Sequence, residues 1–265
     1  MSDDARWAGP MPDVYDRTLG PALFAPFAER LAAVARALAP KSVLELAAGT
    51  GVATSALIRA LPDAHIVATD LNPAMVSWAS QRIDGVTWRQ SDAEHLDVPD
   101  STFDLIVCQF GVMFFPDKPA AFAEAARAMT EDGTLLFSVW DTIDTSEFPK
   151  ALEESLIAVL PDNPPSFVAR VPHGYADVQL IENDLRGGGL TRVSIDRLVL
   201  TGTAPSAAAL AEGFCMGTPL RFALEERGSL VDLTQAVADQ MTARLGEGEV
   251  TGHLAGFLVS ARLSA

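Results

Sequence analysis

Three acidic residues and two glycines in this chain are spaced as a nucleoside site needs them. Glu45-Leu46-Ala47-Ala48-Gly49-Thr50-Gly51 closes a short β-branched run at residues 42–46. Glycines there let the backbone turn sharply and approach a ligand, and the N–H groups opening the next helix are unpaired. A lone G-x-G equally fits a plain strand-to-helix turn. Asp70 ends the next apolar run, where a carboxylate can accept both hydroxyls of a ribose lying across the strand ends. Its alternative is to cap the helix that opens at Pro73, a role Asn72 fills better. Asp92, in Ser91-Asp92-Ala93-Glu94 after a third run, can accept a hydrogen bond from an adenine amino group.

Such residues meet only if several strands end on one edge. The apolar runs predict strands at 42–46, 65–69, 86–89, 103–108 and 134–140, the last entered through a turn at Glu131-Asp132-Gly133. Helical spacing predicts helices at 52–61, 73–83 and 119–129 between them. Strands alternating with helices imply right-handed crossovers and a parallel sheet covered on both faces. The near-continuous apolar run at 103–108 agrees with two covered faces.

The later chain reads differently. Residues 146–160 look helical, 161–172 are proline-rich, and three glycines follow at 187–189. Residues 193–200 alternate as an antiparallel strand does, 205–245 are helical with breaks at 217–219 and 228, and 254–263 could close the sheet. The expectation is an α/β, doubly wound, mostly parallel seven-stranded sheet with helical lid inserts. It makes residues 1–265 one domain, with a core at about 35–140 plus 190–201 and 254–264, inserts at 141–189 and 202–252, and a loose segment at 1–12.

Composition removes other classes. The 19 Lys+Arg against 35 Asp+Glu give a net charge of −16, which repels nucleic acid unless the bases cluster, and they are scattered. The longest apolar stretch, residues 105–115, is short of the roughly 18 residues a membrane span requires. The opening Ser2, Asp3 and Asp4 have the wrong charge for a signal peptide, and the cysteines, Cys108 and Cys215, form no disulfide framework. A cytoplasmic setting is the expectation.

On these motifs the chain resembles the class I S-adenosylmethionine-dependent methyltransferases, in the branch of the ubiquinone and menaquinone biosynthesis enzymes. Glu45, Gly49 and Gly51 match that family's glycine motif, Asp70 its ribose acid, and Asp92 with Ala93 its adenine segment. Residues 103–107 and 131–135 look like its fourth and fifth motifs, with Glu131-Asp132-Gly133 where the family has Pro-Gly-Gly. The resemblance covers about residues 14–140 and implies a Rossmann-like fold with S-adenosyl-L-methionine as cofactor and S-adenosyl-L-homocysteine as product. It implies Glu45, beside Ala47 and the Gly49 and Gly51 backbone, at the methionine end, with Leu71 and Met75 on adenine and ribose. Gln109 and Phe110 would face the methionine moiety and the acceptor, and Tyr15 would close over the cofactor. Met75 as helix core and Tyr15 as a packing residue remain alternatives. A dehydrogenase would want a third glycine where Thr54 stands. Amine methylation of bases uses Asn-Pro-Pro-Tyr after the fourth strand; Asn163-Pro164-Pro165 comes far later and reads as a decoy.

Methyl transfer is an in-line displacement that needs alignment and dryness before it needs a base. Candidate bases are His95, His173 and Tyr175, with solvated or structural roles as the alternative; His65 reads as structural. Phe214 and Met216, in Phe214-Cys215-Met216-Gly217-Thr218-Pro219, are the candidate acceptor lining; lid packing or a homodimer surface is the alternative. No residue cluster suggests a metal. The expected function is methyl transfer to a small, moderately hydrophobic acceptor; a non-catalytic cofactor-binding sensor or partner protein is the alternative.

Overall fold

The computed structural model describes Trp7 and residues 9–264. The remaining N-terminal residues, among them Ser2, Asp3 and Asp4, lie outside the described residues. Within the segment expected to be loose, Met11 and Pro12 instead open helix α1 (Met11–Leu19) as buried residues. A proline costs little in a first turn, where its missing N–H would have no partner.

Seven strands form one sheet: β1 (Ser42–Glu45), β2 (His65–Asp70), β3 (Thr87–Gln90), β4 (Phe103–Gln109), β5 (Met129–Trp140), β6 (Leu190–Ala204) and β7 (Val250–Leu263). The order is β3-β2-β1-β4-β5-β7-β6. The β1–β2, β1–β4, β2–β3 and β4–β5 pairs are parallel, and β5–β7 is antiparallel. Period-two alternation explains the layers. Val43, Leu105 and Leu136 pack with Ala28, Leu31 and Ala35 of α2 (Ala25–Leu38) and Ala53 and Leu57 of α3 (Val52–Ala60). Phe137, one residue on from Leu136, meets Phe122 of α5 (Lys118–Ala128) with ring centroids 5.5 Å apart. Both faces are covered, so β4 carries no polar alternation.

Strand β5 starts earlier than its apolar run. Phe103 pairs with Met129 but Leu105 pairs with Thr134, so residues 130–133 bulge out of the ladder. Glu131-Asp132-Gly133 is that bulge rather than a turn before the strand. A Cβ on Gly133 would sit 2.3 Å from Met129 Cγ and 2.9 Å from the Thr130 oxygen, so the bulge requires glycine.

The chain divides into two compact units. The sheet unit holds Phe27–Trp140, Tyr175–Leu198 and the residues from Gly256. The helical unit holds the residues up to Pro26, Asp141–Gly174 and Val199–Ala255. Within the helical unit, α1 packs on α9 (Ala207–Gly217), and α9 and α6 (Glu147–Val159) pack on α11 (Leu230–Leu245). The α1–α9 approach needs small residues: a Cβ on Gly213 would lie 2.4 Å from Thr18 Oγ1, and one on Gly217 2.8 Å from the Tyr15 nitrogen. Arg17 of α1 closes the pair by binding both carboxylate oxygens of Glu212.

The first expected insert, 141–189, is shared between the units. Its part from Tyr175 onward belongs to the sheet unit because α8 (Val178–Gly187) packs on α5. The glycines after α8 permit this: a Cβ on Gly188 would lie 2.4 Å from Phe122 Cβ. Among the described residues no helix is long and apolar enough to cross a membrane.

Candidate functional site

The turn from β1 into α3 is shaped by left-handed backbone. Ala47, Gly49 and Gly51 have φ of 51°, 56° and 85°. At Gly51 a Cβ would stand 2.3 Å from Ile83 Cδ1 and 3.2 Å from the Trp88 ring. Gly51→Ala therefore combines strain with collision and is expected to lower stability by about 1–3 kcal/mol, read as a lower urea midpoint at unchanged slope. At Gly49 a Cβ would meet nothing within 4 Å. That glycine borders open space, as a turn that admits a ligand to its backbone must.

Two sequence-distant signals join across this turn. The Gly49 nitrogen donates to Asp70 Oδ2 at 2.8 Å, and the Asn72 nitrogen donates to Asp70 Oδ1 at 2.8 Å. Asn72 itself caps α4 (Pro73–Ser80), its Oδ1 accepting from the Ala74 nitrogen at 2.9 Å. Asp70 is thus not the cap. Its carboxylate is held in one orientation by two backbone donors, and each oxygen keeps a second lone pair for a ligand. Burial raises its pKa, opposed by those two N–H groups.

Glu45, the last residue of β1, is 1% exposed, and Thr54 of α3 donates its hydroxyl to Oε2 at 2.7 Å. Burial pushes the carboxyl from 4.5 up to about 8; the Thr54 hydrogen bond works against this and the Asp70 charge adds to it. Glu45 is therefore largely a neutral acid at neutral pH. Burial likewise pushes the Cys108 thiol up to about 12, so it is an inert packing group.

Other expected residues take clear positions. Asp92 follows β3, and its Oδ1 accepts from the Glu94 nitrogen at 3.0 Å. Ala93 is half-buried between them. Leu71 is 39% exposed directly after Asp70, whereas Met75 is 3% exposed and belongs to the core side of α4. Gln109 ends β4, half-buried and opposite Ser138 of β5. Phe110 has φ 52°, uncommon for a bulky residue, and its ring stacks on Trp140 at 3.7 Å between centroids, with Phe27 edge-on at 5.1 Å. The Phe110 side chain is committed to that stack.

The candidate bases and acceptor residues are divided between the two units. His95 is exposed. Tyr175 donates its hydroxyl to Asp184 at 2.7 Å under the Lys118 ammonium, and burial with this bond raises its pKa, holding the phenol protonated. In the helical unit, His173 Nδ1 lies 2.6 Å from the Asp141 carbonyl oxygen, which only an Nδ1–H tautomer satisfies. Burial pushes its pKa down to about 4, so the ring is neutral at neutral pH. Phe214 is buried and Met216 half-buried within α9. Tyr15 lies inside α1, its ring 5.1 Å from Trp7 and 5.0 Å from Phe24. The Asn163-Pro164 segment is fastened by Arg227, which donates to the Asn163 oxygen at 2.9 Å. Among the described residues no group of His, Cys, Asp or Glu is placed to hold a metal ion.

A nucleoside with a polar tail fits what is present. Beside the open space at Gly49 and the oriented Asp70, the buried hydroxyls of Thr50 and Ser91 have no hydrogen-bond partner. An unsatisfied buried hydroxyl costs on the order of 1–3 kcal/mol, which a bound polar group offsets. Thr50 lies in the turn after β1 and Ser91 directly follows β3, the two strands that flank β2.

Strand order and edge geometry define a Rossmann-like methyltransferase fold. Residues 43–133, which hold Glu45, the glycine turn, Asp70 and Asp92, match the methyltransferase domain family. A demethylmenaquinone methyltransferase of Deinococcus radiodurans is 36% identical over 113 residues, 40% of this chain and 47% of that protein. A malonyl-[acyl-carrier protein] O-methyltransferase of Hahella chejuensis is 31% identical over 125 residues, 46% of this chain and 45% of that protein. The chain thus spans about half the length of these curated relatives. Among solved structures, Haemonchus contortus phosphoethanolamine N-methyltransferase 2, complexed with phosphomonomethylethanolamine and S-adenosylhomocysteine, is similar at a TM-score of 0.62 and 13% identity. That likeness covers all of this chain and 61% of the other. The YcgJ protein of Bacillus subtilis gives a TM-score of 0.55 at 17% identity, over 89% of this chain and 99% of its own.

Proposed function

We propose that the chain is a methyltransferase that takes its methyl group from S-adenosylmethionine and gives it to a small, moderately hydrophobic acceptor. The observation that carries the reading is the Gly49–Asp70 hydrogen bond, which builds the glycine turn and the ribose acid into one unit at the sheet edge. The relatives over this region are methyltransferases by name, acting on demethylmenaquinone and on malonyl-[acyl-carrier protein].

When bound, the cofactor supplies an electrophilic methyl on a sulfonium. The chain's residues bind and orient around it. Asp70 accepts the ribose hydroxyls on its free lone pairs, and Asp92 accepts from the adenine amino group. Glu45 faces the cationic methionine end, where its ionised form balances positive charge. The Thr50 and Ser91 hydroxyls fill their vacant hydrogen-bonding capacity against the ligand. Charge within a buried site acts at an effective dielectric far below that of water, so these carboxylates select a cationic donor. Alignment of donor and acceptor supplies most of the rate, since well-oriented reactants reach effective molarities of about 10⁵ M and above.

Incubation with methyl-labelled S-adenosylmethionine and fractionated small-molecule extracts tests the reading. Label transferred to an extractable, moderately apolar product supports it. Tight binding with no transfer to any fraction contradicts it and leaves the sensor reading in its place.

A further inference from the structure

The segment that carries Asp92 has almost no regular structure of its own. Between β3 and β4 its internal ties are a bridge between Asp92 and His95, closed by the His95 nitrogen on the Asp92 oxygen at 3.1 Å, the Glu94 nitrogen on Asp92 Oδ1, and the Thr102 hydroxyl on the Asp100 oxygen at 3.0 Å. Its start is tied to β2 by the Ser91 nitrogen on the Asp70 oxygen at 3.1 Å and its end to β1 by the Ser42 hydroxyl on the Thr102 oxygen at 2.9 Å. The fastenings between those ends reach α5. The Asp117 nitrogen, at the α5 N-cap, donates to Glu94 Oε1 at 2.7 Å. Farther along the helix, Arg127 spends all five of its N–H donors inside the protein. Two go to Glu124, from Nε at 2.9 Å and from the second terminal nitrogen at 2.8 Å. The other three go to the loop: the Leu96 oxygen at 3.0 Å, the Val98 oxygen at 2.9 Å and Asp100 Oδ1 at 2.5 Å. Glu124 completes the clamp by accepting the Leu96 nitrogen at 2.8 Å.

An exposed Arg–Glu pair on a helix is ordinarily worth little. Here the guanidinium holds two backbone carbonyls of a loop, in a planar fork that lysine cannot reproduce. Leu96, which both clamp residues bind, is buried and lies four residues after Asp92.

We propose that Arg127, braced by Glu124, is a positioning residue for base recognition: it fixes the loop that aims Asp92, and so sets the preference for adenine without touching the ligand. The inference rests on the S-adenosylmethionine reading of the site.

The test compares two ligands, S-adenosylhomocysteine and S-inosylhomocysteine, which lacks the 6-amino donor. Wild type is expected to prefer the adenine ligand by roughly tenfold or more, as one charge-assisted hydrogen bond allows. In Arg127→Met the adenine ligand should weaken until the two bind within about threefold of each other, while S-inosylhomocysteine keeps its wild-type affinity. Equal weakening of both ligands, or an unchanged preference, overturns the proposal; a general loss of packing would weaken both. Should Arg127→Met not fold by thermal melting, Asp100→Ala removes one fastening and is expected to narrow the preference in the same way. A wild type that binds S-adenosylhomocysteine with no preference over the inosine ligand overturns the proposal alone. A wild type that binds neither ligand overturns the site reading and this inference with it.

Discussion

Asp70→Ala is expected to weaken S-adenosylhomocysteine binding by at least about a hundredfold while the chain remains folded. The substitution removes the acceptor of two ribose hydroxyls, and hydrogen bonds to a charged group contribute about 1.5–3 kcal/mol each. Two of them correspond to a hundredfold or more in Kd, at about 1.4 kcal/mol per factor of ten. It also strands the Gly49 and Asn72 nitrogens that the carboxylate now holds, so the turn loses its brace. Asp70→Asn retains one acceptor oxygen and should fall between wild type and alanine. Calorimetric titration reads the affinities, and urea unfolding separates them from loss of fold.

The second large effect is a pH dependence centred on Glu45. In the free protein its carboxyl holds a proton up to about pH 8, because burial outweighs the Thr54 hydrogen bond. A cation brought beside it favours the charged form. Binding of S-adenosylmethionine is therefore expected to release close to one proton at pH 7, and affinity should rise about tenfold per pH unit toward pH 8 and then level off. Titration in buffers of different ionisation enthalpy counts the proton. In Glu45→Gln the slope should vanish. The same shift acts on the free protein with the opposite sign. Unfolded Glu45 ionises at 4.5 and the folded form only at about 8, so between those values the folded state binds more protons and stability declines as pH rises. Asp70 and Cys108 are the other titratable groups coupled to this site, and Cys108 stays protonated throughout.

Much of this site was legible in the sequence, for a physical reason. A parallel sheet places every β-to-α turn on one edge, so glycines and acids that end successive apolar runs must converge there. Glu45, Gly49, Gly51, Asp70 and Asp92 carry that signal locally, and Asn72 before Pro73 showed which residue caps the helix. The contacts that depend on tertiary approach were not legible. Thr54 read only as a missing third glycine, yet it faces Glu45 from the first turn of α3. Arg127 and Glu124 carry no signal in the sequence, because nothing local announces that a loop some thirty residues earlier will lie against them. Phe110 sits at a strand end where the ligand was expected, but stacking on Trp140 and Phe27 decides its direction. The two units follow the same logic. Tyr175 and His173 are neighbours in sequence, yet the Asp184 and Lys118 contacts hold Tyr175 in the sheet unit while Asp141 holds His173 in the helical one.

On the proposed function, the turn at Gly49 and the carboxylate of Asp70 form a site for S-adenosylmethionine and its product. Isothermal titration of the wild-type chain with S-adenosylhomocysteine at pH 8 tests it most directly. A single saturable site of one ligand per chain is expected, with a melting temperature that rises with ligand concentration. No heat of binding and an unmoved melting temperature at millimolar ligand would contradict it.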